Sequence, residues 1–436
     1  MASRAIPAQC ADLDSPRSRY PGGSDASRPP LRPRLLGSSA LAGFVRQARA
    51  GDKFVTVGIN LSLTGAAAED ATNMLRGAQL AIEEANARGG VGGYEIRQLT
   101  LDDGTATAGQ YDPAQAAINT RKMVVDPTVV AAVGPMSSGS GKAMAPLLSQ
   151  GNLATVTPSS TNPDLTDPKF AEMYRPAGKA IYFRTCTTDA FQGPNMANFM
   201  ADQLKVKSVF VIDDTGAYGV GLADAFQAQA AKRGMQVMGR DRVDPLLSDY
   251  RPLLTKIKQL GPQAMYCGSS ALAGVKLVKQ SYEIMPDMIK AGGDGLHQAS
   301  ILAGAGFPAA QGWYSTIAAP HMLDDAKLSD WLAKYQKRWN SPPADYSITA
   351  YDAALVILAA VEAVAKSGAP VTRDAVRDAL QAGKVDTLQG PIAFDANGDI
   401  ASRVVSVFQV QQDTAHPVND VVHQFKYIGV ALAGSA

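Results

Sequence analysis

The amino-acid sequence predicts an α/β protein built as two parallel-sheet lobes of similar architecture. Three observations carry this. At 436 residues the chain exceeds what one compact core holds, so two or more folding units are expected. From Lys53 onward, short apolar runs alternate with amphipathic stretches, the mark of β-α-β units. The same alternation starts again after Pro194, giving a second series of the same kind.

In the first series, residues 55–59 form an apolar, partly β-branched run and read as a strand. Residues 74–88 read as a helix, because Leu75, Ala78, Ala81, Ile82 and Ala85 recur at helical spacing. Gly89 and Gly90 stop it in the manner of a left-handed C-cap. Residues 96–101 are a second strand and 113–125 a second helix. Residues 129–134 are continuously apolar, as a strand buried on both faces should be. A further helix leads to a strand at 154–156. In the second series, 209–212 is a strand, 223–233 a helix ended by Gly234, 236–238 a strand, 250–260 a helix and 263–266 a strand.

Composition bounds the function. Hydrophobic residues make up 46% and charged residues 19%, enough apolar material for a large core. The net charge of +1 hides an asymmetry. Residues 1–50 carry eight Arg and three Asp, a net of +5, and the remainder carries 33 basic and 37 acidic residues, a net of −4. A mildly acidic body lacks the attraction to phosphate on which nucleic-acid binding rests. Residues 1–34 are rich in Arg, Pro, Ser and Gly and show no hydrophobic period. Arg32 and Arg34, the short apolar stretch 35–45 and the small residues Ala48 and Ala50 follow in the order of a secretory signal, so residues 1–50 are expected to be a leader and the mature protein an exported, soluble, periplasmic one. No later stretch reaches the roughly 20 uninterrupted apolar residues of a membrane span. Cys10, Cys186 and Cys267 make a sparse, odd set, and the last two read as buried thiols rather than a disulfide framework.

In parallel sheets, ligands bind beyond the carboxyl ends of strands. That directs attention to residues 60–74, 134–142, 157–161, 213–219, 267–271 and 292–297. The run Gly134-Pro135-Met136-Ser137-Ser138-Gly139-Ser140-Gly141 opens a helix, whose unpaired N–H groups can seat an anion; the plainer reading is a small-residue capping turn. Its glycines do not match the phosphate-loop pattern. The hydroxyls of 157–163 either hold a ligand or make an ordinary turn. Tyr218 stacks over a ligand or is a surface tyrosine in a loop. Asp294, set among Gly292, Gly293 and Gly295, suits a ligand ammonium or simply forms a turn.

Catalytic signatures do not occur. The four histidines (His297, His321, His416 and His423) lack metal-ligand spacing, there is no GxSxG nucleophile motif, and Gly219-Val220-Gly221 lacks the rest of a dinucleotide fingerprint. No metal, cofactor or enzymatic activity is expected.

Taken in order, these segments resemble the branched-chain amino-acid-binding proteins of ABC transporters, within the type I periplasmic binding proteins. The likeness spans about residues 53–415. It rests on Gly77 through Gly90, on Val133-Gly134-Pro135 with its serines, and on Thr157-Pro158-Ser159-Ser160-Thr161-Asn162-Pro163. Asp213 through Gly221 and Leu388-Gln389-Gly390-Pro391 complete it. The resemblance implies two Rossmann-like lobes joined by a three-crossing hinge that close around a ligand. It places the crossings near 185–189, 317–320 and 389–392. Residues 53–187 with 319–388 then form one lobe, and 188–318 with 389–436 the other. It further implies that Ser138 holds the ligand carboxylate, that the Ser159 backbone and Thr161 hydroxyl hold both α-groups, that Tyr218 closes over the ligand, and that Asp294 pairs with its ammonium.

Departures from the family pattern matter as much. Asp70 stands where an aromatic residue is common, Ser270 where a tyrosine is common, and Ser137 at one position of a cysteine pair. A more polar and acidic pocket is expected, for a ligand that keeps a carboxylate and an amino or amide group but carries a polar or cationic side chain. The expected role is delivery of a small amino-acid-like or amide ligand to permease subunits; a sensor or regulator module of the same fold is the alternative.

Overall fold

The computed structural model describes residues 53–431. The leader expected at 1–50, with Cys10, lies outside the described residues. The first sheet holds five parallel strands, β1 (Phe54–Leu61), β2 (Glu95–Asp102), β3 (Val129–Val133), β4 (Ala154–Thr157) and β5 (Tyr182–Arg184), in the order β2-β1-β3-β4-β5. Helices α1 (Ala68–Ala87), α2 (Pro113–Val125), α3 (Ser138–Gln150) and α4 (Ala171–Tyr174) connect them. The chain then enters α5 (Asp189–Asp202), β6 (Ser208–Asp213), α6 (Ala217–Lys232), β7 (Gln236–Arg242), α7 (Arg251–Leu260), β8 (Ala264–Gly268), α8 (Ala271–Ile284), β9 (Ile289–Gly292), α9 (Ala299–Ala305) and β10 (Tyr314–Ile317). After β10 come α10 (Ser329–Trp339), α11 (Asp345–Lys366), α12 (Arg373–Ala382), the ribbon β11 (Lys384–Thr387) with β12 (Gly390–Ala393), then β13 (Ser406–Val410), α13 (Val421–Gln424) and β14 (Phe425–Val430). The second sheet runs β14-β13-β10-β9-β8-β6-β7, parallel except for the antiparallel β13 and β14.

Helices cover both faces of each sheet, which is why the central strands are apolar throughout. All five residues of β3 and all five of β8 are buried. One face of the first sheet packs on α1, α10, α11 and α12, and the other on α2, α3 and α4. The second sheet packs on α7, α8 and α9 on one side and on α5 and α6 on the other. Gly77 lets α1 and α11 approach closely, since a Cβ there would meet the Ser347 carbonyl at 2.1 Å. Cys186 and Cys267 are buried free thiols.

Several expectations shift in detail. Helix α1 starts six residues before Met74, and α6 starts at Ala217 rather than Ala223. Each extension adds few core residues, Ala71 in α1 and Tyr218 and Leu222 in α6, too few to mark a helical period. Tyr218 is therefore a buried residue of a helix's first turn, not a loop residue. Pro194 lies inside α5 rather than before the second series. Helix α11 is also long and apolar enough to cross a membrane, contrary to the reading of the sequence; 72% of its apolar window is buried inside the fold, where it is the central helix of the first lobe.

The chain passes between the sheets after β5 and after β10, close to the expected places. The third passage differs. Ile392, Phe394 and Ile400 pack with the first sheet's core, and only Ser406 enters the second sheet. The ribbon is held there by its apolar side chains, so the passage falls after Ile400, not at 389–392. Hydrogen bonds tie the passages together: Thr187 N–H donates to the Ala318 carbonyl at 2.8 Å, and the Ser406 hydroxyl donates to the Ala319 carbonyl at 2.8 Å.

Arg184, at the end of β5, is fully buried. Its guanidinium donates to the carbonyls of Ser160 and Asn162 (2.7 and 2.9 Å), to the Thr166 hydroxyl (2.6 Å) and to Asp399 (2.7 Å). It thereby fixes the loop after β4. Removing one partner of such a buried network strands the others without partners. Arg184→Met is expected to lower the unfolding free energy by roughly 3–5 kcal/mol. Urea unfolding followed by circular dichroism measures this, and a loss below about 1 kcal/mol would show that the loop keeps its shape without the clamp.

Candidate functional site

A cavity of about 820 Å³, its mouth included, opens between the carboxyl ends of the two sheets. Six of the seven expected residues line it: Asp70, Ser138, Ser159, Tyr218, Ser270 and Asp294. Thr161 does not. It is fully buried behind the wall, where Arg184 holds the carbonyls on either side of it and its own carbonyl accepts from Asp189 N–H at 2.9 Å.

The first lobe supplies a wall of small hydroxyl residues. Ser137 caps α3 by accepting from Ser140 N–H at 3.2 Å. The Ser138 hydroxyl accepts from Asn162 N–H at 3.1 Å, which leaves its proton for another acceptor. Ser159 donates to the Met136 carbonyl at 3.0 Å. Gly134 makes the bend that brings these residues forward: its φ is +110°, and a Cβ would meet the Asn60 carbonyl at 2.1 Å.

The second lobe supplies charge. Asp294 is buried and accepts from the Tyr218 hydroxyl at 2.5 Å and from the Tyr346 hydroxyl at 2.6 Å. Tyr346 comes from α11 of the first lobe, so this carboxylate joins the two lobes. Asn162 adds a second link, donating to the Ala217 carbonyl at 2.8 Å. Burial raises the Asp294 pKa despite these hydrogen bonds. Behind it, Gln192 accepts from Asp294 N–H at 3.0 Å and donates to Asp189 at 2.9 Å. Asp189 is raised to about 8, by burial first and by the Asp294 charge second. Asp70, on α1, is raised to about 7 by burial and then by Glu69.

Among the described residues, no Lys or Arg lines the cavity. Asp345 is the one acid on the wall with a cationic partner nearby, since His321 contacts it at 2.8 Å. Burial is the largest single effect and works against charge on His321, but the hydrogen bonds and charges of Asp345 and Asp324 together outweigh it and raise the His321 pKa. His297, also on the wall, is buried between Phe408 and Phe425, and desolvation lowers it to about 3, so it is neutral. No group of acids, histidines and cysteines suited to a metal ion occurs among the described residues.

Reading the sequence missed Tyr346, Gln110, Tyr111 and Gln298. Tyr346 follows a helix rather than a strand, so the rule that led to the other segments passes it by. Gln110 and Tyr111 follow β2 and could have been found by that same rule.

Two α/β lobes around a largely apolar pocket set with acids and hydroxyls define a ligand-binding clamp of the type I periplasmic class. The chain belongs to the periplasmic binding protein family, whose model matches residues 55–415. It is 32% identical over 377 residues to a Leu/Ile/Val-binding protein homologue of Brucella melitensis, covering 86% of this chain and 96% of that protein. A leucine-binding protein of Thermotoga maritima has the same fold, with a TM-score of 0.73 at 23% identity, over 86% of this chain and 98% of that one. So does a solute-binding protein of an ABC transporter from R. palustris, solved with benzoate, with a TM-score of 0.71 at 19% identity over 87% and 96% of the two chains.

An unfolded aspartate releases its proton near 3.8, whereas Asp189 in the fold keeps its own to about 8. The folded protein thus binds a proton that the unfolded chain has lost between those values. The stability this contributes is complete below about pH 4 and is lost as pH rises through about 8. Asp189→Asn cannot lose that proton. In ligand-free protein, the variant is expected to gain stability relative to wild type between about pH 5 and about pH 8. Urea unfolding at both pH values measures this, and parallel profiles would show that Asp189 ionises in the fold as it does in the unfolded chain.

Proposed function

We propose that this chain is the exported substrate-binding component of an ABC transporter, that it captures a small α-amino-acid-like ligand in the interlobe cavity, and that it delivers that ligand to a membrane permease without altering it. The observation that carries this reading is the pairing, in one cavity, of a buried carboxylate without a cation and a hydroxyl wall at a helix N-terminus. Asp294 supplies the charge an ammonium needs. Ser138 and the first turn of α3 supply donors suited to a carboxylate. The two α-groups of an amino acid match that polarity from end to end. Similarity to the Leu/Ile/Val-binding protein homologue of Brucella melitensis and to the leucine-binding protein of Thermotoga maritima supports the α-amino-acid part of the reading; the benzoate-bound neighbour supports only the carboxylate.

Closure forms the site. Tyr218 and Asp294 come from one lobe, while Ser138, Ser159 and Tyr346 come from the other. A ligand bridging them favours the closed state by its differential contacts, and affinity includes the open–closed equilibrium. A permease that engages only the closed form would then receive only loaded protein.

Protein beginning near Gly51, screened by thermal shift against amino acids, amides, polyamines and aromatic acids, is expected to show a selective rise with α-amino acids. In calorimetry, Asp294→Asn is expected to weaken binding by roughly 2–5 kcal/mol, because the ligand ammonium loses its buried counter-ion. Ser138→Ala is expected to cost about 1–3 kcal/mol, since backbone donors remain. Response to aromatic acids alone, with Asp294→Asn unaffected, would replace the amino-acid reading with that of a carboxylate binder. Binding without transport in cells lacking only the permease genes' nearest candidates, but with a protein partner captured instead, would favour the sensor role.

A further inference from the structure

The α-group machinery uses only part of the cavity wall. The rest carries acceptors with nothing to accept from. Asp70 is 8% exposed and Gln298 is 8% exposed. Among the described residues, Asp70 Oδ2, Gln298 Oε1 and Gln110 Oε1 are all buried without a hydrogen-bond partner, and all three residues line the one cavity.

The three belong to neighbouring segments. Asp70 meets the backbone of Ala299, next to Gln298. The segment leading into α1 is tied to that of Gln110, since Ala66 N–H donates to the Gly109 carbonyl at 2.8 Å. Met74, Met136 and Ile317 line the same cavity, the first two against Ser159, and give it apolar wall suited to a methylene chain.

A buried carboxylate and two amide oxygens left unpaired are costly in a folded protein, and such a set is retained where a ligand completes it. Asp70 Oδ2 and the two amide oxygens each lack an N–H donor, and a cation set against Asp70 favours its charged form. We infer that Asp70, Gln110 and Gln298 form a second subsite that binds a cationic end group rich in N–H, an ammonium or guanidinium, so that the ligand is a dibasic amino acid rather than a branched aliphatic one. This rests on the amino-acid reading above and adds the identity of the side chain. Asp294 takes the α-ammonium, the hydroxyl wall takes the carboxylate, the apolar lining takes the stem, and Asp70 takes the distal cation.

The test is calorimetry with lysine, ornithine, arginine, glutamine and leucine on wild type, Asp70→Asn and Asp70→Leu. Wild type is expected to prefer the cationic amino acids. Asp70→Asn keeps the shape of the side chain and removes a buried charge, so its ligand-free melting temperature should hold or rise, and a melting curve verifies that it folds. It is expected to weaken the cationic ligands about thirtyfold or more and glutamine far less. Asp70→Leu is expected to move the preference toward leucine. Leucine binding more tightly than the cationic amino acids in wild type would overturn the subsite while leaving the amino-acid reading intact. Equal binding of glutamine and lysine, or an Asp70→Asn variant that binds lysine as wild type does, would overturn the cation. Binding of no α-amino acid at all would overturn the reading itself, and the subsite with it.

Discussion

Negative charge enclosed without a counter-ion governs how this molecule is put together. Asp294 sits under two tyrosine hydroxyls and beside Gln192, groups that stabilise a carboxylate without neutralising it. Asp189 lies behind it, and its proton is held by burial and by its neighbour's charge. Asp345 shows the contrast, since the fold brings His321 against it. A fold that meant only to be stable would treat the other acids in the same way. Here the neutralising group is left to arrive from outside, and the two lobes are arranged to meet around it.

That arrangement explains the division of labour between rigid and movable parts. The serine wall is immobilised from behind: Ser137 caps α3, Ser138 accepts from the next loop, and Arg184 grips that loop by two carbonyls. The links between lobes are few and of another kind. They include the Tyr346 hydroxyl on Asp294, the Asn162 amide on the Ala217 carbonyl and the Asn419 amide on Glu69, which can part without breaking a core. The polar groups of the site are thus pre-set within each lobe, and only their distance across the cleft is left to change.

The two-lobed architecture was legible in the sequence because buried parallel strands write themselves as apolar runs, and 129–133 and 264–268 are such runs. Asp294, Ser138 and Tyr218 were reachable because they follow strands. Tyr346 was not, since its place beside Asp294 depends on how α11 packs on α1, a contact between segments more than 250 residues apart. Thr161 fails for the opposite reason. Its segment reaches the cavity through Ser159, but Thr161 itself is fully buried, and sequence carries no sign of the buried guanidinium that holds the carbonyls on either side of it. The third passage between lobes moved because the packing of Ile392, Phe394 and Ile400 decides which lobe owns the ribbon, and three scattered apolar residues announce no such allegiance.

The pairing of α1 with α11 also has a temporal meaning. As the chain is made, the second lobe's strands β6 to β10 and their helices emerge as one unbroken stretch and can assemble locally. The first lobe cannot. The apolar face of α1, with Met74, Ala78, Ala81 and Ile82, has no cover until residues 345–366 have followed it. Closing so long a loop is slow, and half-made first lobes must persist with that face bare. The lobe that carries the serine wall therefore becomes whole only when the last third of the chain is in hand.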